Sequence, residues 1–151
     1  MKHCVVSIIR VIASDAEQQL KYRPHPGINA EMLKRIHQEK LGTYKGYTFW
    51  LVDGELIRDE VFLDFTEGGN PATYRFVPEH EVWIEKDMDS RGILPTMLHE
   101  YLEMCKMKDE GWTYDKSHTY ASGIERDVRK RHPSGSLWEV FKAVVERSSV
   151  A

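Results

Sequence analysis

Cysteine is scarce in this sequence. Cys4 and Cys105 stand far apart and in no C-x-x-C spacing, which excludes a disulfide framework and a thiolate metal cluster, and leaves two reduced thiols of a cytoplasmic protein. Long apolar runs are also missing. The stretch "CVVSIIRVIA" near the start is short and contains Arg10, whereas a membrane span needs roughly 20 apolar residues. With no membrane span and no export signal, the expected compartment is the cytoplasm. There is no basic surplus: 21 Lys and Arg face 24 Asp and Glu, for a net charge of −3. General binding along a phosphate backbone is therefore not expected. The "EGGNP" stretch (67–71) lacks the Lys and the helix start of a phosphate loop, and neither a Gly-x-Ser-x-Gly nor a Cys–His nucleophile pattern occurs. No internal repeat or low-complexity tract breaks the chain.

What is present suits one folded domain over residues 1–151, with 41% hydrophobic and 30% charged residues. Residues 4–12 read as either a strand or the start of a helix, and "KYRPHPG" (21–27) as a breaker. "INAEMLKRIHQEKLG" (28–42) predicts a helix capped by Asn29 and ended by Gly42. From 46 to 87 the pattern turns to short strands. "YTFWLVDGELI" alternates around Asp53-Gly54 as a hairpin, "VFLDFTEGGNPATYRFV" reads as strand, turn and return, and "EVWIEKD" as a further strand. Helices then follow over about 93–109, with Pro95 in the first turn, over about 113–130 behind Thr113, and over "SLWEVFKAVVERS". The fold expected is α+β: a small, mainly antiparallel sheet packed with an N-terminal helix, a C-terminal helical hairpin and a terminal helix.

The chemistry concentrates on the hairpin. "MLHEYLEM" (97–104) differs from the H-E-x-x-H zinc helix only in having Glu103 where the second His would be. At about 100° per residue, Leu94, Leu98, Tyr101 and Cys105 form the core stripe of this helix. His99 and Glu103 lie opposite it, which taken alone describes a solvated face. On the next helix, Tyr114, His118, Ala121, Glu125 and Val128 share an inward stripe, so His118 and Glu125 need polar partners. With about 1.5 Å of rise per residue on either side of a short turn, Glu103 reaches the height of His118 and His99 the height of Glu125. His99, Glu103 and His118 are thus candidate ligands for one ion, zinc first, iron or manganese second. Glu125 is placed to hydrogen-bond a ligand imidazole, and Glu100 to act as general base. Tyr114 or Tyr120 is a candidate for steadying an oxyanion.

The quoted residues "HEYLE…YDKSHTYASGIE" resemble small bacterial and phage-type proteins of unassigned function. Those proteins share an H-E-x-x-[EH] helix followed by a Y-D-x-x-H-x-x-A-x-x-x-E helix. More distantly, residues 45–130 resemble a minimal zincin metallopeptidase. That likeness implies His99 as a metal ligand and Glu100 as the base. It departs from the zincin motif at Glu103, where the second His would stand; the heights on the hairpin, not the likeness, offer His118 as the missing imidazole. It also implies a peptide or protein substrate, for which "PEHEVWIEKD" would be the docking edge. Two other readings stand beside it. In one, the cluster is a structural polar network in a non-enzymatic phage or mobile-element accessory module that binds another protein. In the other, Asp115 and His118 (D-x-x-H) join Glu100 and Glu103 (E-x-x-E) in a carboxylate-bridged two-metal site.

Overall fold

The computed structural model describes residues 28–149, so the readings made for residues 4–12 and 21–27 lie outside it. The chain is α+β, as the sequence predicts. Helix α1 (Ala30–Ile36) starts at Asn29, whose side chain accepts from the Met32 amide. It does not run on to Gly42. At His37 the backbone becomes extended and continues as strand β1 (His37–Tyr44), which pairs antiparallel with β2 (Tyr47–Val52). Pairing with β2 overrides the helical propensity of "HQEKLG". Gly42 is needed here for a close approach: at φ 152° it lies under the indole of Trp138, where a Cβ would come within 2.6 Å of a ring carbon. The hairpin turn is Lys45-Gly46, both at positive φ, the geometry that suits a two-residue hairpin.

Asp53-Gly54 is not a hairpin. The Asp53 carboxylate accepts from the Leu56 amide and caps helix α2 (Gly54–Glu60), so the Asp that reads as a turn signal is a helix start. The following segment forms only one two-residue strand, β3 (Gly68–Gly69), in place of the expected strand, turn and return. Phe65, Phe76 and Val77 gather around buried Trp83 instead of alternating across a sheet face. Strand β4 (Glu81–Glu85) then enters between β2, to which it is parallel, and β3, to which it is antiparallel. The sheet order is β1-β2-β4-β3. The parallel step is possible because α2 and the loops around it provide the crossover.

The sheet carries apolar side chains on both faces, in the period of two that a strand imposes. Phe49, Val82 and Ile84 face the long helices, while Val52 and Trp83 face the opposite cluster with Ile36 and Ile57. Helix α3 (Ser90–Asp109) begins three residues earlier than expected, behind the Asp89 cap, so Pro95 falls in its second turn and not its first. Gly111 (φ 66°) separates it from α4 (Tyr114–Arg131), capped by Thr113. Helix α5 (Leu137–Ser149) closes the core with Val140, Phe141, Val144 and Val145. Helix α3 is enclosed on every side, with Thr96 through Met104 all buried. The face carrying His99 and Glu103 is therefore no solvated face: α4 covers it. Among the described residues no helix is long and apolar enough to cross a membrane.

Candidate metal centre

The α3–α4 hairpin brings His99, Glu103 and His118 to one point. Glu103 Oε2 lies 2.8 Å from His118 Nδ1 and 3.1 Å from His99 Nε2, and the two nitrogens are 3.1 Å apart. A four-coordinate zinc with bonds of about 2.0–2.1 Å separates its ligands by about 3.3 Å. The three donor atoms thus already stand within about half an ångström of the spacing on one face of that tetrahedron. Among the described residues, these three form the group able to hold an ion.

His99 and Glu103 are oriented from behind, and the His118 ring is held by stacking. His99 Nδ1 is 2.9 Å from Glu125 Oε2, which leaves Nε2 for the centre. Glu125 is in turn fixed by Arg129, whose Nε and a terminal nitrogen donate to Oε1 at 3.2 and 3.0 Å. Glu103 Oε1 accepts from Thr73 Oγ1 at 2.9 Å and from Asn70 Nδ2 at 3.2 Å. Tyr114 stacks on the His118 ring, with its hydroxyl 3.4 Å from Nδ1.

The electrostatics follow from this crowding. Burial disfavours charge on His99, but hydrogen bonds to Glu103 and Glu125 outweigh it and raise its pKa to about 10. Burial also opposes charge on Glu103, yet bonds to His118 and His99 hold it well below the usual carboxylate range. The same imidazole and Arg129 overcome burial to lower Glu125. Glu100 goes the other way: burial and the neighbouring Glu103 charge push it up to about 8, although Asn70 Nδ2 donates to it at 2.9 Å. In the metal-free protein, protons therefore hold the acceptors of the cluster together, where a cation would otherwise do so.

A cavity of about 160 Å³ opens onto the cluster, lined by Gly68, Thr73, Thr96, Glu100, Tyr114 and Ser122 together with the converging side chains. Glu100 is thus beside the three donors without being one of them. Several expectations fall away. Tyr120 is not in this lining; it packs against Trp112 and Lys106. Asp115 is exposed and outside the cavity, so the two-metal arrangement loses its D-x-x-H carboxylate. Strand β4 cannot be a docking edge, because β2 and β3 flank it; the sheet edge nearest the site is β3. Asn70 and Thr73 escaped sequence reasoning because "GGNPAT" reads only as a turn. Their contacts with α3 depend on where the 61–80 segment folds back, which no spacing encodes. No family model, curated protein or solved structure matches this chain.

Proposed function

We propose that this protein is a metal-dependent hydrolase, zincin-like in its chemistry. Its ion, zinc before iron or manganese, is held by His99, Glu103 and His118. One observation carries the reading: three donor atoms of the right kinds converge at 2.8–3.1 Å between two helices. The supporting bonds from Glu125, Asn70 and Thr73 are of the sort that orient metal ligands. When bound, the ion supplies Lewis-acid polarisation of a carbonyl and acidifies water. Glu100, buried at the cavity wall, accepts the proton from a water attacking there and returns it to the leaving group. Tyr114 is placed to donate to an oxyanion from the His118 side. The substrate in this reading is a peptide or protein, laid along edge strand β3, whose Gly68 lines the cavity. The compartment is the cytoplasm, in keeping with a free Cys105.

A second reading has its own observation. His99, Glu103, His118 and Glu125 satisfy one another by hydrogen bonds without any ion. Such a network is self-sufficient as the polar seam of a non-enzymatic module that binds another protein. Elemental analysis of protein purified without a His tag or chelator separates the two. The metal reading expects one ion per chain and a rise in melting temperature on adding zinc to stripped protein. Folded protein that carries no metal and is indifferent to zinc establishes the second reading instead.

A further inference from the structure

The turn opposite α3 bears on how an ion would be held, an inference that rests on the metal reading above. We propose that Asn70 and Thr73 confine Glu103 to ligation through one oxygen, and so fit the site to a four-coordinate ion such as zinc over ions that take six or more oxygens.

Asn70 is fully buried, and its carboxamide orientation is fixed by chemistry. Its Oδ1 accepts from the amides of Ala72 and Thr73, both at 3.0 Å, so its NH₂ must face α3. That NH₂ donates to Glu100 Oε2 at 2.9 Å and Glu103 Oε1 at 3.2 Å. The Thr73 hydroxyl donates to the same Glu103 Oε1 at 2.9 Å. Two donors therefore hold one oxygen of Glu103, while the other, Oε2, faces both imidazoles. Two-oxygen ligation would have to break both bonds inside a buried site, where a donor left unpaired is costly. Glu100, the other carboxylate within reach, is tethered through the same NH₂ and stays beside the centre. The segment is held at this height by Gly68. A Cβ there would stand 2.8 Å from the Trp83 carbonyl and 3.0 Å from Glu100 Cγ and Thr96 Cγ2, so only bare backbone lies this close to α3. A carboxylate free to bind through both oxygens suits calcium-type coordination; one held to a single oxygen, with two imidazoles, suits zinc.

The test uses the full chain, stripped of metal and reloaded with cobalt(II), whose visible absorption is intense when four-coordinate and weak at higher coordination. The variants are Thr73→Val, which removes the donor and keeps the shape, Thr73→Ser, which restores it, and Asn70→Ala. The wild type is expected to give the intense four-coordinate spectrum. Thr73→Val should weaken that spectrum and lower zinc affinity by about 10-fold, Asn70→Ala by up to about 100-fold, with Thr73→Ser close to wild type. Selectivity for zinc over manganese should narrow in the same order. A wild-type spectrum of five or six coordination overturns the inference. So does a folded Thr73→Val protein with unchanged spectrum and affinity, which leaves the metal reading standing. If Asn70→Ala does not fold, the two Thr73 variants decide the matter. Failure of the wild type to bind either cobalt or zinc overturns the metal reading and this inference together.

Discussion

The His37–Glu81 and His99–Glu103 contacts are alike at first sight, and only the second has the makings of a site. On the far face of the sheet, His37 Nε2 meets Glu81 Oε1 at 2.8 Å, with 17% and 14% of their side chains exposed. The His37 ring stacks on Trp50 at 4.0 Å and lies edge-on to Trp83, whose indole N–H donates to the same Glu81. That pair has one imidazole, one carboxylate and walls of aromatic ring. Between α3 and α4, the comparable His99–Glu103 pair meets a second imidazole and opens onto a cavity. A close His–Glu contact thus says little in itself. What separates the two is a third donor at ligand distance, and hydrogen-bonded support behind two of the three donors, His99 and Glu103.

The strongest way to break this comparison is to remove one carboxylate from each region. Glu100→Gln should keep the metal, since Glu100 is not among the converging donors, and lower hydrolysis of a peptide library by about 10²–10⁴-fold. Glu81→Gln should leave hydrolysis within about threefold, a small change at a distant pair. Equal losses in the two variants would mean that both act through the fold. Removing an imidazole from each region comes next. His118→Ala takes away a ligand, so its zinc affinity should fall by more than the roughly 10–100-fold typical of losing an outer partner. His37→Ala should leave zinc affinity unchanged and instead lower the melting temperature, by exposing the stacked Trp50. Titration with a competing chelator reads the first effect and thermal melting the second.

Acidity gives a finer contrast. Binding an ion must expel the proton that His99 holds up to about pH 10, so zinc affinity should rise about tenfold per pH unit between pH 6 and 8. A flat profile would argue against His99 as a ligand. In the metal-free protein the signs differ by group. The stability His99 contributes is fully present below its ordinary pKa of 6.5 and is lost as pH rises through about 10. Glu100 is also raised, so its contribution is complete below 4.5 and is lost as pH rises through about 8. Glu103 is lowered, so its contribution is present above 4.5 and is lost as pH falls below that range. Glu100→Gln should therefore stabilise metal-free protein relative to wild type at pH 8.5, on the order of a few kcal/mol at most, and do little at pH 4.5. A bound divalent cation would pull Glu100 back towards the charged form and shrink that difference.

The hairpin was legible because it is a local object. Helical periodicity gave the stripes of α3 and α4, the short link through Gly111 gave their antiparallel contact, and axial rise gave the heights. Those three quantities suffice to bring Glu103 to His118 and His99 to Glu125. The burial of the His99 face was not legible, because it depends on α4 lying over a helix that is also covered by the sheet and α5. The sheet was read less well for the same reason. "HQEKLG" carries helical propensity but pairs with β2, and Asp53-Gly54 has the composition of a turn but starts a helix. In both cases a partner outside the segment, the next strand β2 for the first and the Glu85 carboxylate against Gly54 for the second, decides between local options that are close in energy. Asn70 is the extreme case, since its neighbours Glu100 and Glu103 lie thirty or more positions away.

The smallest expected effect falls on Glu125. Its Oε2 is 2.9 Å from His99 Nδ1, and its Oε1 is held by Arg129. Glu125→Gln keeps an oxygen able to accept from His99 Nδ1–H, but removes the charge that makes the imidazole a stronger donor to an ion. Zinc affinity should fall by about tenfold, near the lower end of what such partners contribute, and Glu125→Ala should fall further because the ring is then free to turn. The two variants together separate orientation from charge. If Gln matches wild type and Ala does not, Glu125 serves only to aim His99. If both fall equally, its charge is what matters, and the corresponding Glu81→Gln change beside His37 should leave zinc affinity untouched.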